Sequence, residues 1–156
     1  MSKADMVRRL LLPGVVLLAA GCADAFGPDT HAAEFTQGGV RVALTLEPVV
    51  VRQPATLAAR LSYTNLLNDD ITVSSGMGCD AFVGVYSGNT RISFPATDCA
   101  CTAAVVYWTL QPGETRTHEW SLRIGPDGVP LAQGHYRFVA DLNTHPRSLE
   151  RLFEVR

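Results

Sequence analysis

The stretch Val40-Arg41-Val42-Ala43-Leu44-Thr45-Leu46-Glu47 decides the fold class, because Val and Leu alternate with Arg, Ala, Thr and Glu along it. A period of two sends successive side chains to opposite faces of a strand, so that one face is buried and the other meets water. The same alternation returns over residues 57–64. Both segments are therefore predicted to be half-buried β-strands.

Further short apolar segments follow, each bounded by residues that favour turns. Ser87-Gly88-Asn89 predicts a hairpin turn, and Gln111-Pro112-Gly113-Glu114 and Gly125-Pro126-Asp127-Gly128 each end a strand. The predicted strands cover residues 40–46, 57–63, 71–73, 82–86, 91–94, 105–110, 118–124, 136–142 and 152–155. Residues 147–154 fit a helical turn as well as an edge strand. We predict an all-β fold, an immunoglobulin-like antiparallel β-sandwich of about eight strands, with a closed barrel as the alternative.

The N-terminal segment has the form of a secretory leader. Lys3, Arg8 and Arg9 precede an apolar run over residues 10–20 that contains Pro13. A membrane-spanning helix needs about 20 apolar residues, and this run has roughly half that number. The segment is therefore predicted to be a signal peptide rather than a transmembrane helix.

The apolar run ends in Ala19-Ala20-Gly21-Cys22, which resembles a lipobox, the recognition sequence of lipoprotein signal peptidase. An ordinary secretory peptide needs no cysteine there, whereas a lipoprotein needs the Cys22 thiol to carry diacylglycerol. We predict a lipoprotein signal peptide over residues 1–21, a lipidated Cys22 with a flexible tether over residues 22–37, and the sandwich over residues 38–156. The predicted location is the cell envelope, and Ala23 rather than Asp favours the outer membrane in a Gram-negative host.

The charge of the mature chain excludes one class of partner. Removing residues 1–21 leaves 10 basic and 14 acidic side chains, and the basic ones are scattered singly along the chain. Nucleic-acid binding depends on clustered cations that neutralise phosphates. We therefore expect no nucleic-acid partner.

Several motifs follow one another along the predicted strands: Leu61-Ser62-Tyr63-Thr64-Asn65, Ser75-Gly76 with Asp80-Ala81-Phe82-Val83-Gly84-Val85-Tyr86, Leu110-Gln111-Pro112-Gly113-Glu114, and Leu131-Ala132-Gln133-Gly134-His135-Tyr136. Their order and spacing, over roughly residues 40–142, resemble the intracellular proteinase inhibitor family, BsuPI. The resemblance implies an immunoglobulin-like sandwich and, by the family's name, inhibition of a serine protease. This chain departs from the family in its compartment and in Ile92, where the family's hairpin often carries Trp, and no reactive-loop residue can be transferred.

Three cysteines remain beyond Cys22: Cys79, Cys99 and Cys101. Thiols oxidise outside the cytoplasm, so we predict a disulfide between Cys79 and either Cys99 or Cys101. It would close a loop of about 20 residues and contribute roughly 3 kcal/mol in the loop-entropy model. Cys99 and Cys101 would point to the same face of a strand, so either could pair while the other remains a thiol.

Met77 and these three cysteines also form a set of soft ligands that suits Cu(I), because thiolate and thioether favour that ion. One disulfide with one remaining thiol needs fewer coincidences. We therefore predict no metal and no cofactor, and keep copper as the alternative.

Catalytic motifs are missing from the sequence. It contains no Gly-x-Ser-x-Gly elbow for a nucleophile. Its four histidines, His31, His118, His135 and His145, are scattered along the chain, and we interpret them as surface or sheet residues. The chain is therefore predicted not to be an enzyme.

The loops are the remaining candidates for function, because sandwiches bind partners through end loops or exposed edge strands. We predict that the loop over residues 74–78 and the loop over residues 95–102 form a binding surface, with Ser75, Gly76, Met77 and Asp98 as candidate residues. The leading hypothesis is a lipid-anchored binding or scaffold domain for an unknown envelope protein. The alternative is an inhibitor of an envelope serine protease.

Overall fold

The computed structural model describes residues 33–75, 79–92, 104–144 and 147–156. These residues form an all-β fold without a helix, as predicted. The strands are β1 (Ala33–Gln37), β2 (Val40–Glu47), β3 (Val50–Val51), β4 (Ala55–Asn65), β5 (Ile71–Ser75), β6 (Ala81–Ser87), β7 (Thr90–Ile92), β8 (Val106–Leu110), β9 (Thr115–Ile124), β10 (Gly134–Leu142) and β11 (Ser148–Val155). A search of the described residues for a helix long and apolar enough to cross a membrane finds none.

The strands form a β-sandwich. One sheet has the order β1-β2-β4-β9, and the facing sheet has the order β3-β11-β10-β6-β7. A two-stranded ladder of β5 and β8 completes the fold. The ladders are antiparallel except for that between β3 and β11, which is parallel and departs from the predicted antiparallel arrangement.

The alternation seen in the sequence creates the core. Leu57, Ala59, Leu61 and Tyr63 of β4 are each at most 1% exposed, while the residues between them face outwards or are only partly covered. Phe138 and Phe153 are fully buried on the facing sheet. The Trp120 ring of β9 lies 6.5 Å from the Phe138 ring of β10, which joins the two sheets.

Two strands were not predicted from the sequence. β1 (Ala33–Gln37) lies inside the segment predicted as a tether, and pairs with β2 through a hairpin at Gly38 and Gly39. Both glycines have positive φ, 57° and 80°. A type I′ turn, common in two-residue hairpin loops, requires positive φ at both of its central residues. The sandwich therefore includes Ala33–Gln37, which the sequence assigned to the tether. β3 has only two residues, too few for a periodic pattern.

The structure also decides the form of the last strand, the number of strands among the described residues and the hairpin at Gly88. Residues 148–155 form strand β11, so the alternative helical turn is wrong. The described residues contain eleven strands where about eight were predicted. The hairpin at Gly88, with φ of 56°, joins β6 to β7 as predicted.

Candidate functional site

Asp80 is a charged residue inside the sandwich, with only 6% of its surface exposed. It lies directly before β6, next to Cys79, which is 2% exposed. Burying a carboxylate is costly unless charged or hydrogen-bonding groups compensate for the lost water. The residues that compensate for Asp80 therefore define a site.

Two basic residues of β9 reach this carboxylate. The Nε2 atom of His118 contacts Asp80 Oδ2, and Arg116 Nη2 lies 3.6 Å from the same oxygen. The side chains of Arg116 and His118 are 38% and 35% exposed, so the cluster joins a buried carboxylate to two partly exposed basic side chains. We call Asp80, Ser75, Arg116 and His118 the Asp80 cluster.

The environment keeps Asp80 ionised. Burial would raise the pKa of Asp80, but the hydrogen bond from His118, the charges of His118 and Arg116, and a hydrogen bond from Ser75 act in the opposite direction and prevail. The pKa of Asp80 therefore lies below its ordinary value. At neutral pH the cluster contains a carboxylate.

The two-residue period of β9 places Arg116 and His118 on the inner face of the strand. Arg116, His118 and Trp120 stand at alternate positions of β9 and share its inner face with Leu122 and Ile124. Leu122 and Ile124 fill the core, whereas Arg116 and His118 replace apolar side chains at the start of the strand. The imidazole of His118 stacks on Trp120 at 6.3 Å between ring centroids.

An aromatic layer surrounds the cluster. The guanidinium carbon of Arg116 lies 4.6 Å from the centroid of the Trp108 ring, and Tyr63 meets Trp108 edge to face at 5.2 Å. Burial raises the pKa of Tyr63, so its phenol stays protonated. The phenol donates to the main-chain carbonyl of Asp80 at 3.4 Å.

The backbone beside the cluster ties neighbouring elements together. The carbonyl oxygen of Cys79 accepts hydrogen bonds from Ser75 Oγ at 2.5 Å and from Asn143 Nδ2 at 2.8 Å. The main-chain N–H of Asn143 donates to the Asp80 carbonyl at 3.0 Å. The end of β5, the start of β6 and the end of β10 are thus fixed to one another. We call this part of the sandwich, where β4 and β10 end and β6 and β9 begin, the Asp80 end.

Only part of the predicted site lies among the described residues. Ser75 is fully buried at the end of β5, and its hydroxyl points to Cys79 rather than outwards, so Ser75 is placed to support a loop and not to contact a partner. Cys22, Gly76, Met77, Asp98, Cys99 and Cys101 lie outside the described residues. Three of the four proposed copper ligands are among these, and the part of the chain that is described has no group of three or more His, Cys, Asp or Glu side chains suited to a metal ion.

Sequence reasoning missed the role of His118, which we interpreted as a sheet residue and which contacts a buried carboxylate. The signal was present in β9, where Arg116 and His118 occupy positions that the alternation assigns to the core. Buried polar side chains are almost always partnered, so such positions predict a buried acceptor. His135 opens β10, while His31 and His145 lie outside the described residues.

Ser, His and Asp meet here, yet their order differs from that of a catalytic triad. In a triad the imidazole lies between the hydroxyl and the carboxylate. Here Ser75 and His118 each interact with Asp80, and Ser75 is fully buried. The arrangement holds a carboxylate in place and anchors loop ends, and does not activate the hydroxyl.

Comparisons with known proteins add little to this geometry. No protein-family model matches the sequence, and no curated protein sequence does so either. Among solved structures, the chain is similar to a β-glucosidase from Erythrobacter marinus, with 12% identity and a TM-score of 0.42 over 81% of this chain and 16% of the other. A β-glucosidase from Listeria innocua in complex with glucose is 15% identical, with a TM-score of 0.41 over 78% of this chain and 17% of the other. The alkylpurine DNA glycosylase of Pseudomonas fluorescens is 13% identical, with a TM-score of 0.41 over 78% of this chain and 31% of the other. This chain spans less than a third of the length of each, and similarity at this level carries no conclusion about function.

Proposed function

We propose that this chain is a lipid-anchored, non-catalytic binding domain of the bacterial cell envelope, which presents the loops of its Asp80 end to an envelope protein. The observation that carries the proposal is the bracing of that end by the Asp80 cluster and by the hydrogen bonds at Cys79 and Asp80. Loops held by a rigid scaffold bind with a smaller loss of conformational entropy.

The direction of β1 supports this presentation. Ala33 pairs with Leu44 and Gln37 with Val40, so β1 runs towards the Asp80 end. Chain upstream of Ala33 therefore joins the sandwich away from that end. The ten residues between Cys22 and Ala33 can extend to at most about 36 Å. A lipid at Cys22 would then allow the Asp80 end to face away from the membrane.

We also propose that a disulfide between Cys79 and either Cys99 or Cys101 holds the binding loops together. The burial of Cys79, which is 2% exposed, supports this, and so does its position beside the braced carbonyls. The third cysteine would remain a thiol.

The anchor and the disulfide are tested together by intact mass of the membrane-extracted protein. We expect the mass of a chain that starts at an acylated Cys22, with one thiol labelled before reduction and three after. An unprocessed chain without lipid, with every thiol free, would refute the envelope location and restore an intracellular protease inhibitor as the leading hypothesis.

The binding end is tested by photocrosslinking in intact cells. A photoreactive residue replaces Leu66, which is 50% exposed beside the end of β4. The control position is Asp127, exposed in the turn that follows β9 at the opposite end. We expect a discrete adduct with another envelope protein from position 66 and none from position 127. Equal adducts from both positions, or none from position 66, would refute the proposed binding end.

A second candidate function is inhibition of an envelope serine protease. The same bracing favours it, because a protease inhibitor needs a loop held in the bound conformation, and the BsuPI resemblance points the same way. Inhibition is tested by measuring the residual activity of trypsin-like and subtilisin-like proteases against increasing amounts of the chain. An inhibitor should lose potency on reduction, whereas full protease activity at every concentration would exclude this candidate.

A further inference from the structure

Three consecutive apolar residues are exposed where β8 begins, the first of them directly before the strand. Val105, Val106 and Tyr107 are 54%, 41% and 69% exposed. Val106 lies on the same face as the buried Trp108, and Tyr107 lies on the opposite face. Apolar side chains are therefore uncovered on both faces of this strand.

β8 is also an edge strand within the part of the chain that the structure describes. Among the described residues its strand neighbour is β5, with Val106 opposite Ser75 and Leu110 opposite Ile71. An edge strand offers unpaired amide and carbonyl groups to any further strand. Proteins usually protect such an edge with charged side chains, proline or a short strand.

The other edges show these protections and β8 does not. β1 carries Glu34, β7 carries Arg91, β9 carries two arginines and a glutamate, and β3 has only two residues. β5 has no charge of its own, but Asp69 and Asp70 directly precede it, and its exposed side chains are polar. Residues 105–110 of this chain contain no charged residue and no proline.

We propose that β8 pairs antiparallel with β8 of a second copy of this chain, which gives a two-fold symmetric dimer. The strand that covers β8 must be an uncharged, unpaired edge with apolar side chains to meet Val105 and Tyr107. β8 of a second copy meets each requirement. Antiparallel pairing about a two-fold axis places like segments opposite each other, so apolar residues meet apolar residues and no charge is buried.

This inference goes beyond the proposed function and does not require the lipid anchor. Two versions of the full-length chain with different tags are expressed together, with a photoreactive phenylalanine analogue in place of Tyr107. We expect an adduct at twice the chain mass that carries both tags. The same analogue in place of Asp127 should give none.

Two substitutions test the edge itself. Val106→Lys and Thr109→Lys each place a charge on β8, and should lower the yield of the double-mass adduct by about tenfold or more, because charged side chains on an edge strand oppose pairing with a further strand. Ser121→Lys, on the edge strand β9, is the matched control and should leave the yield unchanged. Thermal unfolding shows which variants remain folded, and Thr109, which is exposed, supplies the test if Val106→Lys unfolds.

Several results would overturn the dimer. These are absence of a double-mass adduct, an adduct of another mass only, a ladder of higher multiples, or equal yields from Val106→Lys, Thr109→Lys and Ser121→Lys. An adduct of another mass would show that β8 contacts a different protein.

Discussion

Asp80→Asn removes the charge at the centre of the Asp80 cluster and keeps the size of the side chain. Removing one partner of a buried ion pair costs about 3–5 kcal/mol. The partners left behind, Arg116 and His118, are more than one third exposed and can turn towards water, so solvent screening reduces this cost. We expect a loss of about 2 kcal/mol in the free energy of unfolding, or a fall in Tm of about 8 °C for a domain of this size.

The pH dependence separates this charge effect from a general packing defect. The pKa of Asp80 is lowered in the folded state, so its stabilisation is complete above its unfolded pKa of about 3.9 and is lost as pH falls through the lowered folded value. The stability gap between wild type and Asp80→Asn should therefore persist at neutral pH and shrink as pH falls below about 4.

Urea unfolding followed by tryptophan fluorescence measures both effects. The control is Asp127→Asn, whose side chain is 79% exposed and lies 3.4 Å from Arg123 in an exposed pair. Such a pair contributes little, and we expect a change below about 0.5 kcal/mol. Equal stability of Asp80→Asn and wild type at pH 7, or a gap that stays the same in acid, would contradict the assignment of Asp80 as a paired carboxylate.

Three further changes test the packing, the β1 hairpin and the loop bracing. Leu61→Ala, at a fully buried position of β4, should cost about 2–5 kcal/mol in urea unfolding, and a loss below 1 kcal/mol would place Leu61 outside the core. Gly39→Ala should cost at least about 1 kcal/mol more than Gly38→Ala, because both have positive φ but only at Gly39 would a Cβ lie 2.5 Å from Leu67 Cγ. Equal costs would refute that close approach. Asn143→Ala should cost about 1 kcal/mol and speed amide hydrogen exchange at the start of β6, and unchanged exchange there would argue against bracing.

The sequence predicts the strands wherever alternation is long enough. β2, β4, β9 and β10 each run for at least eight residues, and the alternation in each matches the observed burial except at Ala43 of β2, which is buried. β1 was missed because Phe35 is its one large apolar residue, although the following Gly38-Gly39 pair is a hairpin signal. β3 pairs with β11 about 100 residues later, and no local pattern encodes such a contact.

The Asp80 cluster could be predicted only in part. Polar residues at core positions of β9 indicate a buried partner, but the partner's identity depends on which strand follows which in space. Asp80 and His118 are 38 positions apart, and meet because β4 brings β9 beside Tyr63, whose phenol reaches the Asp80 carbonyl. Topology, rather than local propensity, assembles this site.

Stability alone gives a poor account of why a sandwich would place this cluster in its core. Replacing a buried ion pair with apolar side chains of similar volume is often neutral or stabilising. Apolar contacts are also non-directional, whereas hydrogen bonds and ion pairs fix both distance and orientation. The partners of Asp80 and of the adjacent Cys79 carbonyl come from β5, β9 and the end of β10, so they fix the start of β6 relative to these elements. The cluster therefore contributes most to the position of the chain at the Asp80 end, where the proposed binding loops begin.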